Sequence, residues 1–271
     1  MTPTLDVQGL TVQIEGHGPT VVMLHGWPDT LALWDGAVRA LSDSYRCVRF
    51  SLPGFDLSKP PRPVSVNEMC ELVGAVVDAV SPDEPVTLLL HDWGCFFGYE
   101  YAARHPQRVV RVVGTDIGDT NSGAYLKSLK TKEKLMIAGY QLWLAVAWKL
   151  GGWLPGLADR MTRFMARTIG CRTPSERMGW QMNYPYAMQW FGSYGGLRGV
   201  ARVDKVFGPQ IPTLFCFGRR KPFMFHSPEW LDRLAAREGC AVEGLPCGHW
   251  VMVSQPEAFQ ARVRQWLDGQ G

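Results

Sequence analysis

The stretch Leu88-Leu89-Leu90-His91-Asp92-Trp93-Gly94 decides how this chain is read. Val86 to Leu90 is an apolar run of strand type, broken abruptly by a charged residue and a glycine, and Phe97 to His105 continues as a helix. A strand that turns sharply into a helix pushes one side chain out above the sheet, and here that side chain is Asp92. A carboxylate so placed can attack carbon directly and form an ester on the protein. An Asp at such a turn can also simply cap the helix that follows. Leu90, two residues before Asp92, is bulkier than the small residue usual at this kind of turn.

Outward from this turn, strand-type and helix-type segments alternate. Thr20–Leu24, Arg46–Leu52 and Val109–Thr115 read as further buried strands. Asn67 to Val80 places Met69, Leu72, Val73, Val76, Val77 and Val80 at helical spacing. Such repetition predicts an α/β fold with a mostly parallel sheet flanked by helices. From Asp119 to Gly208 no strand-type run occurs, and helical stretches rich in Trp, Met and Tyr take over. Strands resume at Leu214–Gly218 and Ala241–Leu245, and Glu257 to Leu267 closes as an amphipathic helix. The expected division is a core first part over 1–118, an inserted helical lid over 119–208, too long for an ordinary loop, and a core second part over 209–271.

Composition narrows the class. Of 271 residues 46% are hydrophobic, and 28 Lys+Arg against 25 Asp+Glu leave a net charge of +3, which excludes a disordered chain and provides no overall basic field for nucleic acid. The seven cysteines form no C-x-x-C pair and read as reduced thiols. The six histidines lack metal-ligand spacing, and no G-x-G-x-x-G follows a strand, so neither a metal nor a nucleotide cofactor is expected. The start MTPTLDVQGL has no signal-peptide pattern. The most apolar stretch, Tyr140 to Ala158, is interrupted by Lys149 and Pro155 and falls short of a spanning helix. The expectation is a cytoplasmic monomer or homodimer with no membrane and no nucleic-acid partner.

Two more segments follow strand ends. His25-Gly26-Trp27-Pro28 comes after the first buried strand, so the backbone N–H groups of Trp27 and Trp93 can together form an oxyanion hole. Cys247-Gly248-His249-Trp250 follows the last strand, and His249 there suits a base presented on a loop near the chain end.

Taken together, LHGWP (Leu24–Pro28), LPGFDLS (Leu52–Ser58), HDWG (His91–Gly94) with YEYAARHPQRV (Tyr99–Val109), and CGHW (Cys247–Trp250) resemble the α/β-hydrolase fold. Within it they resemble the epoxide hydrolase and haloalkane dehalogenase branch, with HGWP and CGHW closer to epoxide hydrolases. The resemblance implies Asp92 as nucleophile and His249 as base. Its usual acid slot, the last residue of a G-x-x-D pattern after the next-to-last strand, here reads Gly218-Arg219-Arg220-Lys221 and holds a lysine. The remaining place for an acid is the end of the strand after the elbow helix, where dehalogenases carry theirs, and Asp116 occupies it.

Epoxide hydrolases of this kind present lid tyrosines to the epoxide oxygen. Gly139-Tyr140-Gln141-Leu142 matches one such context and makes Tyr140 the expected donor. The second tyrosine position holds Phe191, leaving Tyr186 or Tyr194 as substitutes; Trp93, Trp143, Tyr186 and Phe191 are expected to line the pocket. The implied activity is hydrolysis of a small apolar epoxide by water to a vicinal diol, through an ester on Asp92 and without a cofactor. In haloalkane dehalogenases the Trp after the nucleophile binds the leaving halide, so Trp93 keeps haloalkane or haloacid dehalogenation as the alternative. A non-enzymatic binding protein of the same fold is a further one.

Overall fold

The computed structural model describes residues 3–191 and 211–269, and among these the six expected strand segments are joined by two more. The eight strands are β1 (Thr4–Val7), β2 (Leu10–Glu15), β3 (Thr20–Leu24), β4 (Arg46–Arg49), β5 (Val86–His91), β6 (Val109–Thr115), β7 (Thr213–Gly218) and β8 (Ala241–Leu245). They form one sheet in the order β1-β2-β4-β3-β5-β6-β7-β8. The pairs β1–β2 and β2–β4 are antiparallel, and every other pair is parallel. All residues of β3 and β5 are buried, as the two central strands of a sheet covered on both faces must be.

The described helices are α1 (Asp35–Leu41), α2 (Val66–Val80), α3 (Trp93–Arg104), α4 (Gly123–Ser128), α5 (Thr131–Gly151), α6 (Pro155–Thr168), α7 (Tyr184–Phe191), α8 (Pro228–Ala235), α9 (Val251–Ser254) and α10 (Pro256–Leu267). In α2 the buried face carries the six apolar residues expected from their spacing. Its start is fixed reciprocally: the Glu68 N–H donates to Ser65 Oγ at 3.1 Å and the Ser65 N–H to Glu68 Oε2 at 2.7 Å. Helices α4 to α7 lie between β6 and β7, in the segment expected to be helical. Asp119 ties the start of that segment to the core, accepting hydrogen bonds from the Ser227 N–H at 2.6 Å and from Ser227 Oγ at 2.7 Å. The expected boundary at 208/209 lies outside the described residues.

Two strand expectations need correction. The run Arg46–Leu52 leaves the ladder at Arg49, because the Leu52 N–H is taken by His25 Nε2 at 3.0 Å. The hairpin of β1 and β2 escaped the sequence reading, since β1 is mostly exposed and shows little apolar alternation. Its one local mark is the Gln8-Gly9 turn, where φ is 52° and 82°.

Leu90 explains itself through its neighbour. A β-carbon added to Gly98, on α3, would lie 2.7 Å from Leu90 Cδ1, so the glycine opens the space that the bulky residue before the turn fills. Helix propensity alone favours Gly98→Ala by about 1 kcal/mol, whereas overpacking costs about 1–3 kcal/mol. We expect Gly98→Ala to lower the urea midpoint. In combination with Leu90→Ala, it should cost about 1 kcal/mol less than the sum of the singles. Additive single effects would remove Leu90 as the reason for the glycine.

Candidate active site

The order of the sheet places the site. The chain passes from β3 outward to β4 and then returns to β5 on the other side of β3, so the carboxyl ends of β3 and β5 flank a crevice at a topological switch point. Trp27 follows β3 and Asp92 follows β5. The Trp27 N–H donates to Asp92 Oδ1 at 2.6 Å. The Trp93 N–H, beside the same carboxylate, favours its charged form. Gly26 makes this approach possible: a β-carbon there would come within 2.5 Å of the Trp93 nitrogen. Asp92 has φ 52° and ψ −123°, a strained conformation for a residue with a β-carbon, and its side chain makes no cap bond to α3. The helix-cap role is therefore not the one this carboxylate plays.

His249 sits between two carboxylates. Its Nδ1 lies 2.5 Å from Asp116 Oδ2 and its Nε2 lies 3.5 Å from Asp92 Oδ2. Asp116 ends the turn after β6, fully buried and also at positive φ, 71°. Its other oxygen accepts the Gly218 N–H at 3.0 Å and an ion pair from Lys221 Nζ. Lys221, from the slot where the fold family carries its acid, thus reaches back and neutralises the acid at β6. The Lys221 side chain is itself buried, with its ammonium over the Phe225 ring.

Burial and charge set the protonation states. Burial alone would raise Asp92, but His249 and the Trp93 N–H hold it below the usual carboxylate range. Asp116 is likewise held low against its burial by Lys221 and His249. Burial would lower His249; the two carboxylates overcome it and push the imidazole up to about 9. The other nearby histidines are neutral. Burial depresses His25 to about 4, and its Nε2 anchors the Leu52 N–H; burial and the neighbouring His249 depress His91 to about 3.

Above Asp92 opens a cavity of about 270 Å³, lined by Trp93, Tyr140, Tyr186, Ile117 and Phe225 among others. Tyr140 and Tyr186 meet edge to face, with ring centroids 6.0 Å apart, and Tyr186 packs on Trp93 at 5.3 Å and on Trp27 at 5.7 Å. Burial and the Asp92 charge keep both phenols well above their usual range, so both remain O–H donors.

Two expected pocket residues are elsewhere. Trp143 turns away from the cavity, donating from Nε1 to the Met161 carbonyl at 3.0 Å and packing on Phe164. Phe191 is half exposed under the Lys149 ammonium. The resemblance that placed Phe191 in the pocket, and the neighbourhood of Tyr140 that placed Trp143 there, do not say which face of a helix turns inward. Tyr194 lies outside the described residues.

Residues that the sequence reading missed hold this frame. Trp27 Nε1 donates to Asn183 Oδ1 at 2.7 Å, and Asn183 Nδ2 donates to Thr162 Oγ1 at 2.7 Å, linking Trp27 to α6. Asp29, fully buried and raised to about 6 by burial, accepts from Trp250 Nε1 at 2.8 Å and from Thr173 Oγ1 at 2.5 Å. It thereby fixes the residue after His249. Neither contact had a local sequence signal, because partners 144 to 221 positions apart meet only in the fold.

A family profile described as alpha/beta hydrolase fold matches residues 19–164, and the chain belongs to that family. The Mycobacterium tuberculosis protein named "Probable oxidoreductase EphD" is 42% identical over 100 residues, 35% of this chain, but the match spans only 17% of that protein's own length. A cis-3-alkyl-4-alkyloxetan-2-one decarboxylase from Shewanella oneidensis is 34% identical across 93% of this chain and 83% of its own length. Among solved structures, Bacillus megaterium epoxide hydrolase in complex with an inhibitor superposes with a TM-score of 0.71 at 19% identity, covering 98% of this chain and 100% of that one, a likeness of fold.

The charge arrangement makes a prediction that needs no substrate. Lys221→Met removes the cation that shares Asp116, leaving more of that carboxylate's field for His249. The imidazole pKa should then rise above about 9, while Asp116→Asn should lower it. NMR titration of the imidazole checks both, and shifts of the same sign in the two variants would mean that fold damage moves the value. Lys221→Arg should stay near wild type.

Proposed function

We propose that the protein opens a strained oxygen ring by attack of Asp92, and that the ring is an epoxide hydrolysed to a vicinal diol. One observation carries this reading: a carboxylate with one oxygen held by the Trp27 N–H and the other beside the His249 imidazole faces a cavity that also presents two buried phenols. Asp92 attacks an epoxide carbon, the carbon–oxygen bond breaks, and an ester forms. The alkoxide that develops is stabilised by hydrogen bonds from Tyr140 and Tyr186 and takes up the proton that the His249 imidazolium releases, which leaves the imidazole neutral. Water then attacks the ester carbonyl with His249 taking its proton, the tetrahedral oxyanion forms in the hole made by Trp27 and Trp93, and the diol leaves. The helices between β6 and β7 act as the lid that supplies both phenols.

The likeness to an oxetan-2-one decarboxylase, over 93% of this chain, supports a second substrate for the same nucleophile. Attack of Asp92 on the ring carbon bearing oxygen releases a carboxylate within the covalent ester. Loss of CO₂ then forms the alkene and expels Asp92, with no water consumed. The two reactions therefore differ in their need for His249 as base.

His249→Gln incubated with an epoxide should accumulate an adduct of the epoxide's mass on Asp92, seen by intact-protein mass spectrometry, and Asp92→Asn should form none. In oxygen-18 water a single wild-type turnover should label Asp92 and leave the first diol unlabelled. Label in that first diol would sink the ester mechanism. A panel of epoxides, cis-dialkyl oxetan-2-ones and haloalkanes, read as diol, alkene with CO₂, and halide, decides the substrate. Alkene without diol selects the second reading, and halide alone selects dehalogenation.

The two phenols predict a further pattern. Loss of a single oxyanion donor costs about 10²–10³ in rate. Tyr140→Phe and Tyr186→Phe should each slow ester formation by up to that factor, and the double variant more, while ester hydrolysis stays near wild type. Full epoxide activity in the double variant would remove the phenols from the mechanism.

A further inference from the structure

Helix α5 has two apolar faces, and the fold uses one. Ile137, Tyr140 and Gln141 face the cavity, and Leu144, Ala145 and Ala147 are buried. On the opposite side Leu135, Gly139, Leu142 and Val146 recur at spacings of four, three and four, and all four are exposed, with Met136 and Trp143 exposed beside them. Residues that belong on one face of a helix thus form an apolar stripe turned to solvent over about three turns. The stripe continues across α6: Trp143 touches Phe164, which is exposed, at a ring-centroid distance of 5.9 Å. It ends at the turn joining the two helices, Gly151-Gly152-Trp153-Leu154-Pro155-Gly156-Leu157, where Trp153 is 88% exposed and Leu154 and Leu157 are exposed beside it. An exposed apolar face of this extent marks an interaction site.

Charge says what covers it. Residues 119–208 contain 13 Lys+Arg and 5 Asp+Glu, a balance of +8. The rest of the chain holds the remaining 15 Lys+Arg and 20 Asp+Glu, a balance of −5. The chain's near-neutral total therefore conceals a cationic stretch of sequence beside an anionic remainder. Lys127, Lys130, Lys132, Lys134, Lys149 and Arg160 are exposed in the same segment as the stripe. In a twofold dimer formed through this face, the same patch would meet itself, bringing cations against cations. An anionic lipid surface complements both features, taking the apolar residues below the headgroups and the cations at their level, with tryptophan at the boundary.

We propose that the outer face of the α5–α6 hairpin docks on an anionic lipid surface, with Trp153 and Leu157 entering the interface. The stretch containing the tip is too short and too broken to span, and among the described residues no helix is long and apolar enough to cross a membrane. The expectation of no membrane partner rested on spanning length and the lack of a signal-peptide pattern, and a surface-lying hairpin needs neither. The proposal stands apart from the ring-opening reaction and is tested without any turnover.

Flotation of the full chain with vesicles of phosphatidylcholine alone, and with roughly 30 mol% phosphatidylglycerol, provides the test. Wild type should float with the anionic vesicles, weakly or not at all with the neutral ones, and less as salt is raised. Trp153→Ser with Leu157→Ser, both at exposed positions, should lower partitioning about tenfold or more. Lys149→Glu and Arg160→Glu should each lower it about fivefold or more. Circular dichroism of each variant should match wild type. Wild type that stays off anionic vesicles, or a tip variant that floats as well as wild type, overturns the proposal. So does a concentration-dependent dimer, seen by sedimentation velocity, that is lost in the tip variant while vesicle binding is absent, since it would give the face to a second copy of the chain.

Discussion

Four buried charges must cancel, and the rest of the site is arranged around that requirement. Asp92 and Asp116 are carboxylates held ionised in the interior, and His249 and Lys221 are the cations that hold them so. An isolated charge in such a place costs several kcal/mol, so neither carboxylate could persist alone. Together the four sum to zero. The balance also gives the proposed reaction its direction. When Asp92 becomes an ester it loses its charge, and the cluster is left at +1. The group able to restore neutrality by releasing a proton is His249, which loses one of the two partners that hold its pKa up. The alkylated protein thereby converts a stable imidazolium into the base that the next step needs.

The same balance accounts for the lysine at the acid slot. An acid at the end of β6 reaches His249 as well as one after β7 would, because both strand ends border the imidazole. Moving the acid to β6 leaves its second oxygen facing the loop after β7, in the interior. Gly218 and Lys221 satisfy that oxygen from the vacated slot. Lys221 is thus the counterpart of the relocation. Replacing it with an acid would put three carboxylates beside one imidazole.

How far the sequence could be read follows from the range of each interaction. The central strands, α2 and the turn at Asp92 were legible because burial on both faces, capping and turn chemistry are written in adjacent residues. The choice of Asp116 rested on the resemblance, which offers the end of this strand as the acid's place when the usual slot holds Lys221. That Tyr186 turns into the cavity and Phe191 does not was not legible. Five residues apart on one short helix, they differ in which face turns inward, and packing against Trp93 and Trp27 decides that. Trp143 failed for the same reason, lying one position past the inward stripe of α5. Asp29 and Asn183 left no trace at all, because a buried hydrogen bond between distant segments has no local pattern.

Helix α5 shows why its sequence looked ambiguous. A helix with one apolar face reads as amphipathic, and one that is apolar all round reads as buried or spanning. Tyr140 to Ala158 is neither: its inner face is covered by the protein, its outer face is apolar and uncovered, and the one lysine between them, Lys149, is exposed. Stability gives no reason for that outer face, since exposed positions accept polar residues at little cost. The cavity and the uncovered stripe lie on opposite sides of one helix about 10 Å across. A helix covered by protein on one side and by lipid on the other satisfies both faces of this sequence at once. It would also set the cavity, on the other side of the same helix, close to an apolar phase in which an apolar strained ring would dissolve.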